Sequence, residues 1–594
     1  MRRFWLAGIL AAGALTMWAQ DDPPGRVARL NLLEGSVSFQ ASGSDDWTAA
    51  TPNYPLTIGD HLWADDGSRA ELHIGSTAIR LDSHTALAFL NLDDRMTQLR
   101  LSDGTVNMTI RRLADDESYE VDTPNGAVTL VRPGTYRIDA DPDRQITTVT
   151  VRGGEAEITA GGTAFPLHSR QTAYLTGTDQ PDTQVNPALG PDDFDRWCQD
   201  RDQSFARRPP PRYVSPDMVG YEDLDDHGVW SEVPSYGPVW YPRVEAGWAP
   251  YHNGRWAWVE PWGWTWVDDA PWGFAPFHYG RWAYVGSAWG WIPGPVNVRP
   301  VYAPALVAWV GGEHWGAGIA FGGGAGVAWI PLGPREVYVP SYRVSNTYVT
   351  RVNVTNVTNI NVTNITNVTN VRYVNQNVPG AVTAVSRQDF AASRPVARVA
   401  GRGPPSAVAA ATVSTREVPV TRQQVVVARP VGSAPVARPP QAVVNARVIT
   451  RTPPPAATAT LARPAAAPPS RQVAPNAPAS VNRPPVQQTP TYRPQPRQTE
   501  SYRPPPQQQQ TPAYKPTPAY KPPPPQQDES RRPPPQRETP SRQPEREPSY
   551  RPPPGEPPQH THGGPPSAPP PRQNAERPRP EPKPREPEKE RDKK

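Results

Sequence analysis

The stretch "GRWAWVEPWGWTWVDDAPWGFAPFHYGRWAYV", residues 254–285, holds seven tryptophans in 32 positions. An indole offers two kinds of chemistry. Its flat π face can stack on a sugar ring or a quaternary ammonium, and its large apolar body can fill a core provided that its one N–H finds an acceptor. Arg255 and Arg281 stand at matching places in the same stretch and carry guanidinium groups able to pair with acidic groups on a glycan. A binding surface built here would use Trp262, Trp264, Trp272, Trp289 and Trp291 together with those two arginines. The competing reading, which we place first, makes the rings the core of a small β repeat and leaves only edge rings as shallow stacking platforms.

Groups suited to covalent or metal chemistry are sparse. Cys198 is the only cysteine, so no intrachain disulfide can form, and inside "DFDRWCQD" it reads as a partly buried structural thiol. His252 and His278 occupy equivalent repeat positions, which suits a structural hydrogen bond better than catalysis. Glu313 and His314 are adjacent and would point to opposite faces of a strand. The doublets at Asp45-Asp46, Asp65-Asp66, Asp93-Asp94 and Asp115-Asp116 lack the D-x-D-x-D-G spacing of a calcium loop and read as solvated turns. No metalloprotease, nucleophile-elbow, phosphate-loop or paired-cysteine motif appears. The expectation is a protein that is not an enzyme, with no catalytic residue, cofactor or metal.

The elements that must carry these rings follow from an internal period. "GVW" begins at Gly228 and "GRW" at Gly254 and again at Gly280, a step of 26 residues each time. "GWAPYHNGRWAWV" (247–259) is answered by "GFAPFHYGRWAYV" (273–285). One unit suits two strands and a turn: "GRWAWVE", a "PWG" reversal, then "WTWVDD". Alternation along a strand puts Trp256 and Trp258 on one face, across from Trp264 and Trp266, with Ala257, Val259 and Thr265 behind. Three such hairpins would bury their rings against one another.

Residues 26–178 alternate apolar and polar positions in short segments such as "SRAELHI", "TAIRLD", "TQLRLS", "GAVTLV" and "ITTVTV", separated by turns rich in Gly and Pro. Nine or more strands in that length predict an all-β domain, either a sandwich or a β-roll. The segments "LTIGDHLWADDGSRAELHIGSTAIRLDSHTAL", "YEVDTPNGAVTLVRPGTYRID" and "TVTVRGGEAEI" resemble the FecR-type domain, the periplasmic module of iron-dicitrate sensor proteins. A leader in place of that family's cytoplasmic segment and membrane helix implies an envelope β scaffold, with FecR-like envelope signalling as an alternative. "VAWIPLGPREVYVPSYRVSNTYVTRVNVTNV" (327–357), with the tryptophan hairpins, resembles an uncharacterised Trp-rich family of secreted bacterial proteins found beside FecR-type domains.

Charge and proline content divide the rest. From residue 381 onward there are 33 Lys and Arg against 15 Asp and Glu, a net of +18, whereas the first 380 residues carry 28 against 42, a net of −14. Most of the 82 prolines fall after residue 400. That composition predicts a long disordered, cationic tail, extended where it adopts polyproline II and able to meet anionic polymer. "MRRFWLAGILAAGALTMWAQ" reads as a secretory signal peptide, too short to span a bilayer. The organisation expected is therefore a signal peptide (1–20), a FecR-like β domain (26–178), a linker (179–225), a Trp-rich hairpin repeat (226–345), an Asn/Val/Thr repeat (346–378) and a Pro-rich basic tail (379–594). The predicted role is a periplasmic or secreted cell-envelope scaffold or binding protein. Its expected partners are an envelope protein or a cell-wall or surface polysaccharide, without nucleic acid and without a transmembrane segment once the leader is removed. A glycan-binding module is the alternative.

Overall fold

The computed structural model describes residues 22–310, 320–321, 324–354, 373–401, 413–414, 420, 436–456 and 462–464. The expected signal peptide, most of the Asn/Val/Thr repeat, and the chain beyond residue 464 lie outside these residues. The described part is mainly β-strand with a few short helices, as the alternating segments imply. Among the described residues no helix is long and apolar enough to cross a membrane.

Seventeen strands between Ala28 and Pro187 build the first module. They form two sheets that share the strand Met96–Ile110. Its first half pairs with Thr85–Leu92 and, in parallel, with Ser118–Asp122, while its second half pairs with Thr77–Leu81 and Gly134–Asp141. The crossing falls at Gly104, where φ is +87° and an added Cβ would sit 2.4 Å from the His84 carbonyl oxygen, so only glycine fits. Leu30, Leu72, Ile79, Met108 and Ile138 from one sheet meet Phe39, Leu62, Phe89, Leu99 and Val128 from the other in one apolar core. On strands such as Gly134–Asp141 buried positions alternate with more exposed ones, which is the physical basis of the period-two pattern.

The stretch expected as a linker is structured. Asp182–Pro187 adds a strand against Gln171–Thr176. Helix α1 (Asp193–Ala206) follows, started by a capping box between Asp192 and Asp195. Arg137 and Arg152 of the sheet reach the Asp195 carboxylate at 3.1 and 2.5 Å and fasten the helix to the module.

The second module contains the three expected hairpins and a fourth. They are Gly228–Val233 with Gly237–Pro242, Gly254–Val259 with Gly263–Asp268, Arg281–Val285 with Ala288–Ile292, and Val307–Val310 with Gly324–Pro331. In each, one tryptophan faces another directly across the ladder: Trp230 and Trp240, Trp256 and Trp266, Trp282 and Trp291, Trp309 and Trp329. The glycine that opens each of the first three units has a steric cause. A Cβ on Gly228 would lie 2.2 Å from the Trp240 ring, on Gly254 2.7 Å from Trp266, and on Gly280 2.7 Å from Trp291. The return-strand indole crowds each glycine, joined at Gly254 by the Val267 carbonyl oxygen at 2.4 Å and at Gly280 by that of Ile292 at 2.3 Å. Trp256 then packs against Trp309 with centroids 4.8 Å apart and against Trp329 at 5.4 Å, which joins the second hairpin to the fourth. Pairing of Trp240 with Trp291 joins the first hairpin to the third.

Segments expected in the tail also pack here. Thr383–Ser386 adds a strand to Gly324–Pro331, Phe390 lies 4.4 Å from the Trp264 ring, and the Val420 carbonyl accepts the Trp264 indole N–H at 2.7 Å. Residues 436–456 instead lie on the first module.

A chain of buried charges seals the two modules together. Arg80 joins Asp202 (2.8 Å) to Glu71 (2.7 Å), His73 bridges Glu71 (3.1 Å) and Glu222 (2.5 Å), and Arg29 reaches Asp223 at 2.6 Å. Arg29 also donates to the Pro271 carbonyl at 2.7 Å, and Asn53 donates to the carbonyls of Asp268 and Ala270. Burial alone would favour neutral His73, but the flanking Glu222 and Glu71 outweigh it and raise its pKa above 6.5. Glu71 and Glu222 are likewise opposed by burial yet held below the usual carboxylate range, Glu71 by His73 and Arg201 and Glu222 by His73 and Arg29. A group whose folded pKa is raised contributes stability that is complete below its unfolded value of 6.5 and fades as pH rises through the folded one. His73→Asn is therefore expected to cost about 3–5 kcal/mol near pH 6, with the difference from the unaltered chain shrinking toward alkaline pH. Urea unfolding of both chains across that range checks the trend; a difference that grows with pH contradicts it.

Candidate functional site

Of the seven residues proposed for a binding surface, the fold brings two together and uses the others internally. Trp262 and Trp264 line a cavity of about 160 Å3 whose walls are completed by Trp258, Trp309, Tyr338 and Tyr342. Trp258 and Trp264 sit opposite each other across the second hairpin with their rings edge to face at 5.6 Å. The Trp258 N–H is held by Glu260 at 3.0 Å, and that of Trp264 by the Val420 carbonyl. The turn between the strands carries Trp262, which packs edge-on against Tyr302 at 5.0 Å. Hairpin register therefore fixes one wall, and the fourth hairpin with the 338–342 stretch supplies the other.

The remaining candidates lie elsewhere. Trp272 is wedged between Trp240 and Trp248 and stacks on Phe277. Trp291 is fully buried and donates to the Tyr279 carbonyl at 2.8 Å, while Trp289 packs on Tyr284. None of these three lines the cavity. Arg281 is buried and spends its guanidinium on the Glu336 and Gly280 carbonyls and the Asn353 side chain (2.7 Å), and burial pushes its pKa down to about 10. Arg255 is half-buried and donates to Thr51 of the first module at 2.6 Å. Both arginines act as struts.

Sequence reasoning missed Trp309, Tyr338 and Tyr342. Trp309 had a usable signal, since it stands 27 residues after Trp282 where the earlier step is 26. The tyrosines had none, because only the tertiary fold brings them to the hairpin.

Three other groups with chemical potential, His278, Cys198 and His73, are sequestered, whereas His252 is partly exposed and Glu313 and His314 lie outside the described residues. His278 is buried and held neutral, its pKa lowered to about 3 by desolvation, and its Nδ1–H donates to the Ala303 carbonyl at 2.8 Å. Burial pushes the Cys198 thiol up to about 12, which leaves it unreactive as a nucleophile at neutral pH. Both ring nitrogens of His73 are taken by carboxylates. What the cavity can do is hold one compact group by ring faces and edges. A dry apolar cavity of about 150 Å3 accommodates a benzene-sized ligand.

Comparison with known proteins gives a family match over part of the chain and no activity. Residues 221–336 match a family of unknown function, DUF6600, a span that contains all three repeat units and most of the fourth hairpin. No curated protein matches the chain. Two solved structures of a protein described as an anti-sigma factor from Parabacteroides distasonis ATCC 8503, at 2.50 and 1.65 Å resolution, are similar at 14% and 13% identity, each with a TM-score of 0.20. Each likeness covers 22% of this chain and 59% of the other, so the chain spans little more than half the length of those structures. Similarity of that degree fixes neither fold nor role, and the match to DUF6600 is confined to residues 221–336.

Proposed function

We propose that this protein is a non-catalytic scaffold of the cell envelope, in which two β modules act as one rigid body and a cationic, proline-rich segment holds that body to anionic wall or surface polymer. The observation that carries the reading is the buried charge chain from Asp202 through Arg80, Glu71, His73, Glu222 and Arg29 to Asp223. The inner members, Arg80, Glu71, His73, Glu222 and Arg29, are buried and resist sliding, because any displaced one becomes an unpaired buried charge. The indoles support the same role, since most are consumed in building the second module. The net +18 after residue 380 supplies the attraction to polyanions.

The aromatic cavity favours a narrower second reading. Trp258, Trp262, Trp264 and Trp309 form a cage for one small flat or cationic group, such as a single sugar ring or a quaternary ammonium.

Retention of the full chain on immobilised anionic wall polymer, with a neutral polysaccharide as control, separates these readings. The scaffold reading expects retention on the anionic matrix alone, lost as salt shortens the Debye length from ~10 Å at 0.1 M to ~3 Å at 1 M. Salt-insensitive retention on the neutral matrix, abolished by Trp258→Ala, would replace it with the cavity reading. Passage through both matrices without delay counts against both.

A further inference from the structure

We propose that the outer face of one sheet of the first module is a peptide-recognition surface, and that residues 437–456 of the same chain are its resident, displaceable ligand. The partner that this surface fits is a peptide with the resident segment's own chemistry: a valine pair in a short helical turn, then Ile-x-Arg-Thr in extended form, with prolines on either side. The proposal does not depend on the scaffold reading.

The face is the outward side of the strands Val37–Gln40, Trp47–Ala49, His61–Ala64, Ser118–Asp122 and the first half of Met96–Ile110. At one end Trp47, Trp63 and Ala86 form an apolar patch that takes Val443. At the other end polar side chains read the segment's main chain. Arg100 donates to the carbonyls of Val444 (2.7 Å) and Ala446 (3.2 Å), and Gln98 donates to that of Thr452 (2.8 Å). Glu120 accepts the amides of Arg451 and Thr452 at 2.9 and 3.0 Å and the Thr452 hydroxyl at 2.6 Å. Ser38 donates to the Ala437 carbonyl at 2.7 Å. Only Arg451 is read mainly by charge, through Glu157 at 2.7 Å. Recognition of backbone groups along an extended stretch, with pockets for a few side chains, is how peptide sites work.

Three features mark the segment as a ligand of this module and not part of its core. Its main chain makes one backbone hydrogen bond to the module among the described contacts, Ile449 N–H to the Thr123 carbonyl, so no ladder breaks when it leaves. The sandwich core draws all its residues from between Ala28 and Leu175. Pro439, Pro440 and Pro453 to Pro455 lack N–H donors and keep the segment from extending a backbone ladder with the module on either side of residues 441–452. The fit is also incomplete. Gln98 Oε1, Arg100 Nε and Ser102 Oγ are buried beneath this face with no hydrogen-bond partner among the described residues. Groups like these are satisfied in a well-matched complex.

A tethered ligand competes at an effective concentration in the ~mM range, so an external peptide meets a blocked site until the resident segment is weakened. The test uses the full chain with Val443→Asp and Ile449→Asp, and a labelled synthetic peptide of residues 437–456. Binding should be saturable and at least tenfold tighter to the double variant than to the unaltered chain, and Glu120→Ala added to the double variant should remove it. Equal binding to both chains, no binding to either, or binding indifferent to Glu120→Ala overturns the proposal. Hydrogen exchange on the unaltered chain gives an independent check: the amides of Ile449, Arg451 and Thr452 should be slowed, and Glu120→Ala should release the last two. Free exchange at all three overturns it, and so does protection that appears only at concentrations where the chain dimerises.

Discussion

Each hairpin of the second module sets one indole directly across from another, and in the first three the return-strand ring crowds the glycine that opens the unit. This contact governs the rest of the module. Burying a tryptophan removes 150–250 Å2 from water, worth roughly 4–6 kcal/mol per ring before entropy is counted. It also strands an N–H unless an acceptor is near. The return-strand indoles solve that locally or across the next element: Trp240 donates to the Leu224 carbonyl, Trp266 to the Asp268 carboxyl, Trp291 to the Tyr279 carbonyl and Trp329 to the Tyr251 carbonyl. Hairpins of only a few residues per strand thereby become parts of one core without a disulfide.

Because the rings are spent this way, the functional possibilities narrow. A flat aromatic platform needs ring faces open to solvent, and Trp272, Trp289 and Trp291 have theirs against neighbours. The cavity beside Trp258 and Trp264 is a place among the described residues where the aromatic packing leaves space, and its size suits one small group. The first module is joined to the second by a string of charges beside apolar contacts, with Val27 and Tyr54 packed against the tryptophan core and Arg29 over the Phe274 ring. Arg29, His73 and Glu222 lie far apart in the chain but within one hydrogen-bonded string. The charged groups there stabilise one orientation of the two modules.

How far the sequence revealed this depends on the range of the interaction involved. Local alternation and turn chemistry were enough for the all-β assignment, and the step from Gly228 to Gly254 to Gly280 was enough for three hairpins with Trp256 opposite Trp266. The fourth hairpin escaped because Val307 stands where glycine opens the other units and a longer connection separates its strands. The 179–225 stretch read as a linker, although Asp192 and Asp195 carry a helix-start signal at the right spacing. The charge chain was invisible, since its pairs are joined across as many as 194 positions. Phe390, Val420 and Val443 were hidden by the proline-rich composition around them; a few apolar residues in such a stretch pack only because a preformed surface awaits them. Of the candidate site, the two hairpin tryptophans were legible and the tyrosine wall was not.

The central physical claim is that indole burial holds the hairpin module together. Acrylamide quenching of tryptophan fluorescence in the native full-length chain, compared with the same chain in urea, measures that burial directly. The account predicts weak quenching and a blue-shifted emission that both turn strong and red only on cooperative unfolding. Native quenching close to that of the unfolded chain would show the rings open to solvent and contradict it.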